Sequence, residues 1–184
     1  MALNSVLALV PVVLVVVLRH KVPRLANIIL FFLWLLFLPN TIYLITDLQH
    51  LPAQLLKSKD MTGQAILIIQ YVVLAALGVV TYIYALEPVR KYLKSSKKDA
   101  FVQNGIYVLL NYIIAFGVIL GKVQRTHSWY VFTDPARVTE DIMATITQMH
   151  LIVWIIVMGT VTNVLFFLFR NYFPLPHFKK KRKV

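Results

Sequence analysis

LPNTIYLITDLQHL, Leu38 to Leu51, decides how the rest of the chain is read. It follows directly on an apolar run, Ile28 to Leu38, and sets Pro39, Asn40, Tyr43, Asp47 and His50 where lipid-facing residues would otherwise stand. In a helix, Asn40, Tyr43, Asp47 and His50 are spaced three, four and three apart, which puts them on one face. An ionisable stripe at the end of a membrane span is costly in lipid, so its expected neighbour is a protein interior or a water-filled cavity. The span is therefore predicted to be broken or kinked at Pro39. That proline removes one backbone donor and frees a carbonyl about one turn earlier, and Asn40 and Thr41 are suited to satisfying such groups.

Composition agrees with a membrane setting. Hydrophobic residues make up 59% of the 184 residues and charged residues only 14%, with a mean hydropathy of +0.74. A soluble domain of this length carries far less apolar sequence, so the class is an all-α, polytopic transmembrane helical bundle. There is no cysteine, which excludes disulfides and thiolate chemistry. The net charge of +12 does not signal nucleic acid, because the basic residues cluster between apolar runs. The closing KKKRKV reads as a juxtamembrane anchor to anionic headgroups rather than an import signal.

Five apolar runs divide the chain into one membrane domain, with spans near residues 3–18, 25–47, 64–86, 105–120 and 150–169 and a basic tail over 170–184. The first carries Asn4, Ser5 and Pro11. It lacks the basic start and small-residue end of a signal peptide, so it reads as a retained span kinked at Pro11. The second reaches Pro39 after only 14 residues from Leu25, short of the roughly 20 a straight crossing needs. In the longest connection, Thr133-Asp134-Pro135 reads as a helix start, with Asp134 as cap and Pro135 in the first position.

Lys and Arg fix the expected orientation. The connections 19–27, 87–103 and 170–184 hold 3, 5 and 6 of them, against 2 and 3 in 52–63 and 121–147. Fourteen against five puts the first set in the cytoplasm, the N-terminus outside and the C-terminus inside. Asp47, His50, Lys122, Arg125, His127, Trp129, Asp134 and His150 then all fall toward the outer face.

Two of these outer segments, LPNTIYLITDLQHL and GVILGKVQRTHSW with the following TDP, resemble the paired signatures of a family of small bacterial integral membrane proteins, domain of unknown function 1361. The first signature falls on Pro39, Asn40, Tyr43, Thr46, Asp47, Leu48, His50 and Leu51, and the second on Leu120, Gly121, Lys122, Arg125, Ser128 and Trp129. The resemblance takes in the early Asn4 and Pro11. It departs at His127, where the family has Asn, and at Tyr130, where it has Asp, so no role resting on that acidic residue carries over. It implies a membrane fold and no activity.

The chemistry-bearing residues admit several readings. Asp47 and His50, with His127 and His150, have the ligand types of a transition-metal site, but the spacing matches no metal motif, and an Asp–His contact capping the helix end is the plainer reading. Ser128 with His127 or His150 and Asp134 has the residue types of a nucleophilic triad, without a Gly-x-Ser-x-Gly elbow. Trp129, Tyr130 and Phe132 read as interfacial anchors. Lys122 and Arg125 stand at the outer end of the fourth run, where the charge rule would not put them. Either one pairs with Asp47, or both bind an anionic lipid or polyprenyl-phosphate headgroup. Gly117 and Gly121 form a small-xxx-small step suited to close helix contact, within the chain or between chains in a homo- or hetero-oligomer.

No catalytic signature is complete and no cofactor motif is evident. The candidate catalytic residues are Asp47, His50 and Arg125, and the candidate ligand-binding set is Asn40, Tyr43, Lys122, Ser128 and Trp129. A transport or accessory component of a membrane complex is the favoured reading. The alternative is a membrane-embedded enzyme acting on a lipid or lipid-linked substrate at the outer leaflet.

Overall fold

The computed structural model describes residues 2–20, 22–58, 60–96 and 99–173. Most of the basic tail, 174–184, lies outside the described residues. The elements run α1 (Ala2–Leu18), α2 (Arg24–Phe37), α3 (Pro39–Thr46), a 3₁₀ turn (Asp47–His50), α4 (Leu51–Lys57), α5 (Met61–Ala85), α6 (Glu87–Ser95), α7 (Ala100–Val123), α8 (Tyr130–Thr133), α9 (Pro135–Thr147) and α10 (Met149–Phe169). Among the described residues there is no strand. Four stretches of the described residues are long and apolar enough to cross a membrane: Arg24–Lys57, Met61–Ser95, Ala100–Val123 and Met149–Phe169.

Helix α1 is shorter. Its 17 residues span about 25 Å at 1.5 Å per residue, against a hydrocarbon core of roughly 30 Å. It nevertheless runs between the same two ends of the bundle as its neighbours. Near its start, Asn4 Nδ2 donates to Asp47 Oδ2 at 2.8 Å. Just past its close, the Arg19 guanidinium pairs with Glu87, with Nε 2.8 Å from Oε2. These contacts define an Asp47 end and a Glu87 end. Pro11 is carried within the continuous helix.

The break at Pro39 is real and local. Helix α2 stops at Phe37, α3 restarts with Pro39 in its first turn, and Leu38 between them stays in the right-handed helical region, φ −56° and ψ −39°. Local side chains satisfy the carbonyls around the break. Asn40 Nδ2 donates to the Phe37 carbonyl at 2.9 Å, and Thr41 Oγ1 to that of Leu38 at 2.8 Å. In lipid such groups have no water to fall back on, so these bonds are what make the break tolerable.

The bundle interior combines apolar packing with a polar ladder. Trp34, Leu38, Tyr82, Leu86, Ile114, Val118 and Phe166 are all buried, and Trp34 Nε1 donates to the Ala85 carbonyl at 2.7 Å. The Tyr82 hydroxyl donates to Asn111 Oδ1 (2.5 Å), Asn111 Nδ2 to Asn163 Oδ1 (2.9 Å), and Asn163 Nδ2 to the Gly159 carbonyl (2.8 Å), joining α5, α7 and α10. Between apolar helices in lipid, hydrogen bonds of this kind supply cohesion that apolar burial cannot. Large apolar side chains such as Ile66, Val72, Leu109, Val153 and Leu168 point outward, as lipid contact requires.

The glycine step on α7 is used inside the chain. A Cβ at Gly117 would lie 2.5 Å from Pro39 Cγ, and one at Gly121 would overlap the Tyr43 hydroxyl. Pro39 and Tyr43 of the same chain pack against this step, so the close contact it makes is the one within the chain. Close approach of α3 to α7 carries the broken span's polar face against the end of α7.

Candidate functional site

The polar site lies at the Asp47 end, where α1, α3, α7 and the connection after α7 converge. Asp47 ends α3 and is 5% exposed. Its carboxylate takes two contacts, Asn4 Nδ2 at 2.8 Å and Lys122 Nζ at 3.4 Å. Lys122 sits in the last turn of α7, so the helix itself holds its ammonium against the broken span. The cation that meets Asp47 is therefore Lys122.

Arg125, the other candidate, is placed differently. Helix α7 ends at Val123, and the chain turns away through Arg125, whose φ of 55° is left-handed. The Thr126 N–H then closes onto the Leu120 carbonyl at 3.3 Å. Glycine or asparagine usually fills such a position, because Cβ crowds the backbone there. Arg125 is exposed and makes no ion pair among the described residues. It stands at the rim, not at Asp47.

The connection after α7 is pinned on both sides. The Thr126 hydroxyl donates to the Asp141 carboxylate on α9. Ser128 Oγ donates to the Leu36 carbonyl at 3.2 Å and lies 3.4 Å from Asn40 Nδ2. Its proton is thus engaged at the Pro39 break, where it complements Asn40 and Thr41. His127 stacks on Trp129, ring centroids 4.4 Å apart and planes 10° from parallel, and meets Tyr130 edge-on at 5.2 Å. The Tyr43 hydroxyl donates to the Gly117 carbonyl at 3.1 Å.

These groups enclose a cavity of about 120 Å³ lined by Asn4, Leu7, Asn40, Tyr43, Gly121, Lys122, Thr126, His127, Ser128 and Trp129. All five residues of the expected ligand-binding set are in that lining. Asp47 is not; it lies behind Lys122 and compensates it from one side. The one lining side chain with a full charge is cationic. The Tyr43, Thr126 and Ser128 hydroxyl protons are engaged by their own acceptors, so the further donors are the Trp129 indole N–H and the second amide hydrogen of Asn4.

Other expected members fall elsewhere. His50 is exposed beyond the bundle end, in contact with the Gln49 side chain at 3.2 Å. His150 is exposed at the start of α10. Asp134 caps α9 as its sequence implied, accepting from the Arg137 N–H at 3.2 Å ahead of Pro135. Among the described residues no three His, Cys, Asp or Glu side chains gather as a metal site would require. No hydrogen bond there joins Ser128 to a histidine. Two polar members of the site, Asn4 and Thr126, and the apolar Leu7 are not among the site residues the sequence points to. Asn4 had a signal, an amide in an otherwise apolar run; Thr126 had none. Nearby, the Tyr71 hydroxyl is buried beside Gln54 and Asp47 without a hydrogen bond of good geometry.

The family model described as Protein of unknown function (DUF1361) matches residues 3–165. The chain belongs to this family. In this DUF1361 member both signature segments meet at one place, the first on α3 and its 3₁₀ turn, the second on the end of α7 and the connection beyond. No curated protein and no solved structure matches the chain.

Proposed function

We propose that this DUF1361 protein is an accessory or transport component of a membrane assembly, and that the cavity at its Asp47 end takes the phosphate-bearing headgroup of a membrane lipid. The observation carrying this reading is the charge of the lining. Lys122 faces the cavity while its counter-charge, Asp47, stands outside it. An ammonium held on one side by a carboxylate keeps other donors for an anion on the other.

Size supports a headgroup rather than a whole substrate. Pockets for drug-sized ligands run from about 300 Å³ upward, and 120 Å³ is the room of roughly four waters at 30 Å³ each. A phosphate with little else fits. The enzyme reading shares this binding step but lacks support for chemistry, since the Ser128 proton is committed to a backbone carbonyl. We place the Asp47 end at the outer face, with five passes and the N-terminus outside. That orientation rests on the charge count and on the grouping of Arg19, Arg24, Arg90, Lys91, Lys94 and Arg170 toward the Glu87 end.

The test is a calorimetric titration of purified protein in nonionic detergent with short-chain phosphatidic acid, and with phosphatidylcholine for comparison. The expected result is saturable binding of phosphatidic acid that weakens at least about tenfold when Asp47→Asn and Lys122→Gln are combined, since hydrogen bonds to charged groups contribute about 1.5–3 kcal/mol. Equal affinity in the double variant would overturn the proposal.

A further inference from the structure

A larger cavity lies at the other end. A lateral groove of about 720 Å³ runs between the α1–α2 pair and α6–α7. Its deeper walls are apolar: Val15, Phe31, Leu35, Ile106, Leu110 and Ile113. Trp34 closes the base, buried under Phe31 at a centroid distance of 5.0 Å. Toward the Glu87 end the lining changes character, to Arg19, Asn27, Glu87, Lys91, Tyr92 and Ser95. The groove is thus apolar along its length and polar at its mouth.

Depth and charge identify an occupant. From Asn27 to Leu35 the wall rises eight residues, about 12 Å at 1.5 Å each, close to the roughly 15 Å of one hydrocarbon leaflet. At the mouth Arg19 and Glu87 neutralise one another. Lys91 is exposed on α6, makes no ion pair among the described residues, and leaves the mouth one positive charge in excess. The adjoining Arg90 and Lys94 add to it. A neighbouring apolar helix would cover the mouth without meeting the excess charge of Lys91, which a lipid phosphate does meet.

We propose that this groove holds one acyl chain of an anionic glycerophospholipid from the leaflet at the Glu87 end, with its phosphate at Lys91. Both the apolar walls and the cationic mouth are needed. The aliphatic chain lies along Phe31, Leu35 and Leu110, and the headgroup stays level with the first turn of α2 and with α6. A zwitterionic lipid meets the same walls but gains little at the mouth. Helix α6 serves as the sensor of headgroup charge, and Trp34 sits where a bound chain passes.

Tryptophan quenching by brominated acyl chains tests this at the site itself. With Trp129→Phe and Trp154→Phe, Trp34 is the sole reporter. The protein is reconstituted in phosphatidylcholine vesicles containing equal mole fractions of brominated phosphatidylglycerol or brominated phosphatidylcholine. The expected result is preferential quenching by the anionic lipid, corresponding to about fivefold tighter occupancy for one lysine at a membrane surface, and loss of that preference in Lys91→Gln. Equal quenching by the two lipids, or a preference that survives Lys91→Gln, would overturn the proposal. Trp129→Phe alters the lining of the Asp47-end cavity but is common to every sample compared, so the difference made by Lys91→Gln reads the groove alone, and the headgroup cavity is tested separately in the chain that keeps Trp129.

Discussion

Removing one partner of the Asp47–Lys122 pair should destabilise the protein more than removing both charges implies. The side chains are 6% and 21% exposed, and their charged atoms are 3.4 Å apart. At an effective dielectric of about 20 the gross attraction is roughly 5 kcal/mol. Desolvation offsets much of that, and partial exposure of Lys122 offsets more, leaving a coupling of about 2 kcal/mol. Asp47→Asn and Lys122→Gln alone should each cost about 3 kcal/mol, because each strands a charge. Together they should cost about 4 kcal/mol rather than 6. For a chain of this length 1 kcal/mol corresponds to roughly 2–4 °C, so each single variant should lose about 6–12 °C in a detergent thermal melt followed by tryptophan fluorescence. Asp47→Asn with Arg125→Gln is the control, and its effects should add to within about 0.5 kcal/mol. Additive losses for Asp47 and Lys122, or coupling to Arg125 instead, would refute this geometry.

Three further variants probe the packing of the bundle and of the site, each read in the same melt. Gly121→Ala should destabilise by about 1–3 kcal/mol through overpacking against the Tyr43 hydroxyl, and Tyr43→Phe in the same chain should recover part of the loss. Asn111→Leu removes both the acceptor for Tyr82 and the donor to Asn163; at about 0.6–1.7 kcal/mol per interhelical bond in a membrane, the loss should be about 1–3 kcal/mol. Arg125→Gly should be neutral or stabilising by up to about 1 kcal/mol, since it relieves a left-handed φ of 55°; a loss of several degrees would show that the side chain holds the connection.

The sequence made the broken span legible because Pro39 has a fixed consequence and Asn40 and Thr41 stand next to the carbonyls it frees. The polar stripe was legible for the same geometric reason. Asn40 and Asp47 are buried and Tyr43 faces α7, whereas His50 leaves the stripe because the bundle ends before it. The partner of Asp47 was not legible. Lys122 and Arg125 are three residues apart, and the choice depends on where α7 stops, which a helix pattern fixes only to within a few residues. Val123 ends it, so Lys122 stays on the inward face and Arg125 falls into the turn. Gly117 and Gly121 announced a close contact without naming its partner. The groove at the Glu87 end gave no sign, because Phe31, Leu35 and Leu110 read as ordinary packing positions.

Charge-selective thiol labelling tests the cavity most directly, and the absence of native cysteine makes it clean. His127→Cys places one thiol in the lining. Its rates with small sulfonate-bearing and ammonium-bearing thiosulfonates are measured on intact cells and normalised to a free thiol. The expected result is labelling without opening the cells, faster for the anionic reagent, with that preference lost when Asp47→Asn and Lys122→Gln are added. Labelling only in opened cells, or a preference for the cationic reagent, would contradict an outward-facing site built around Lys122.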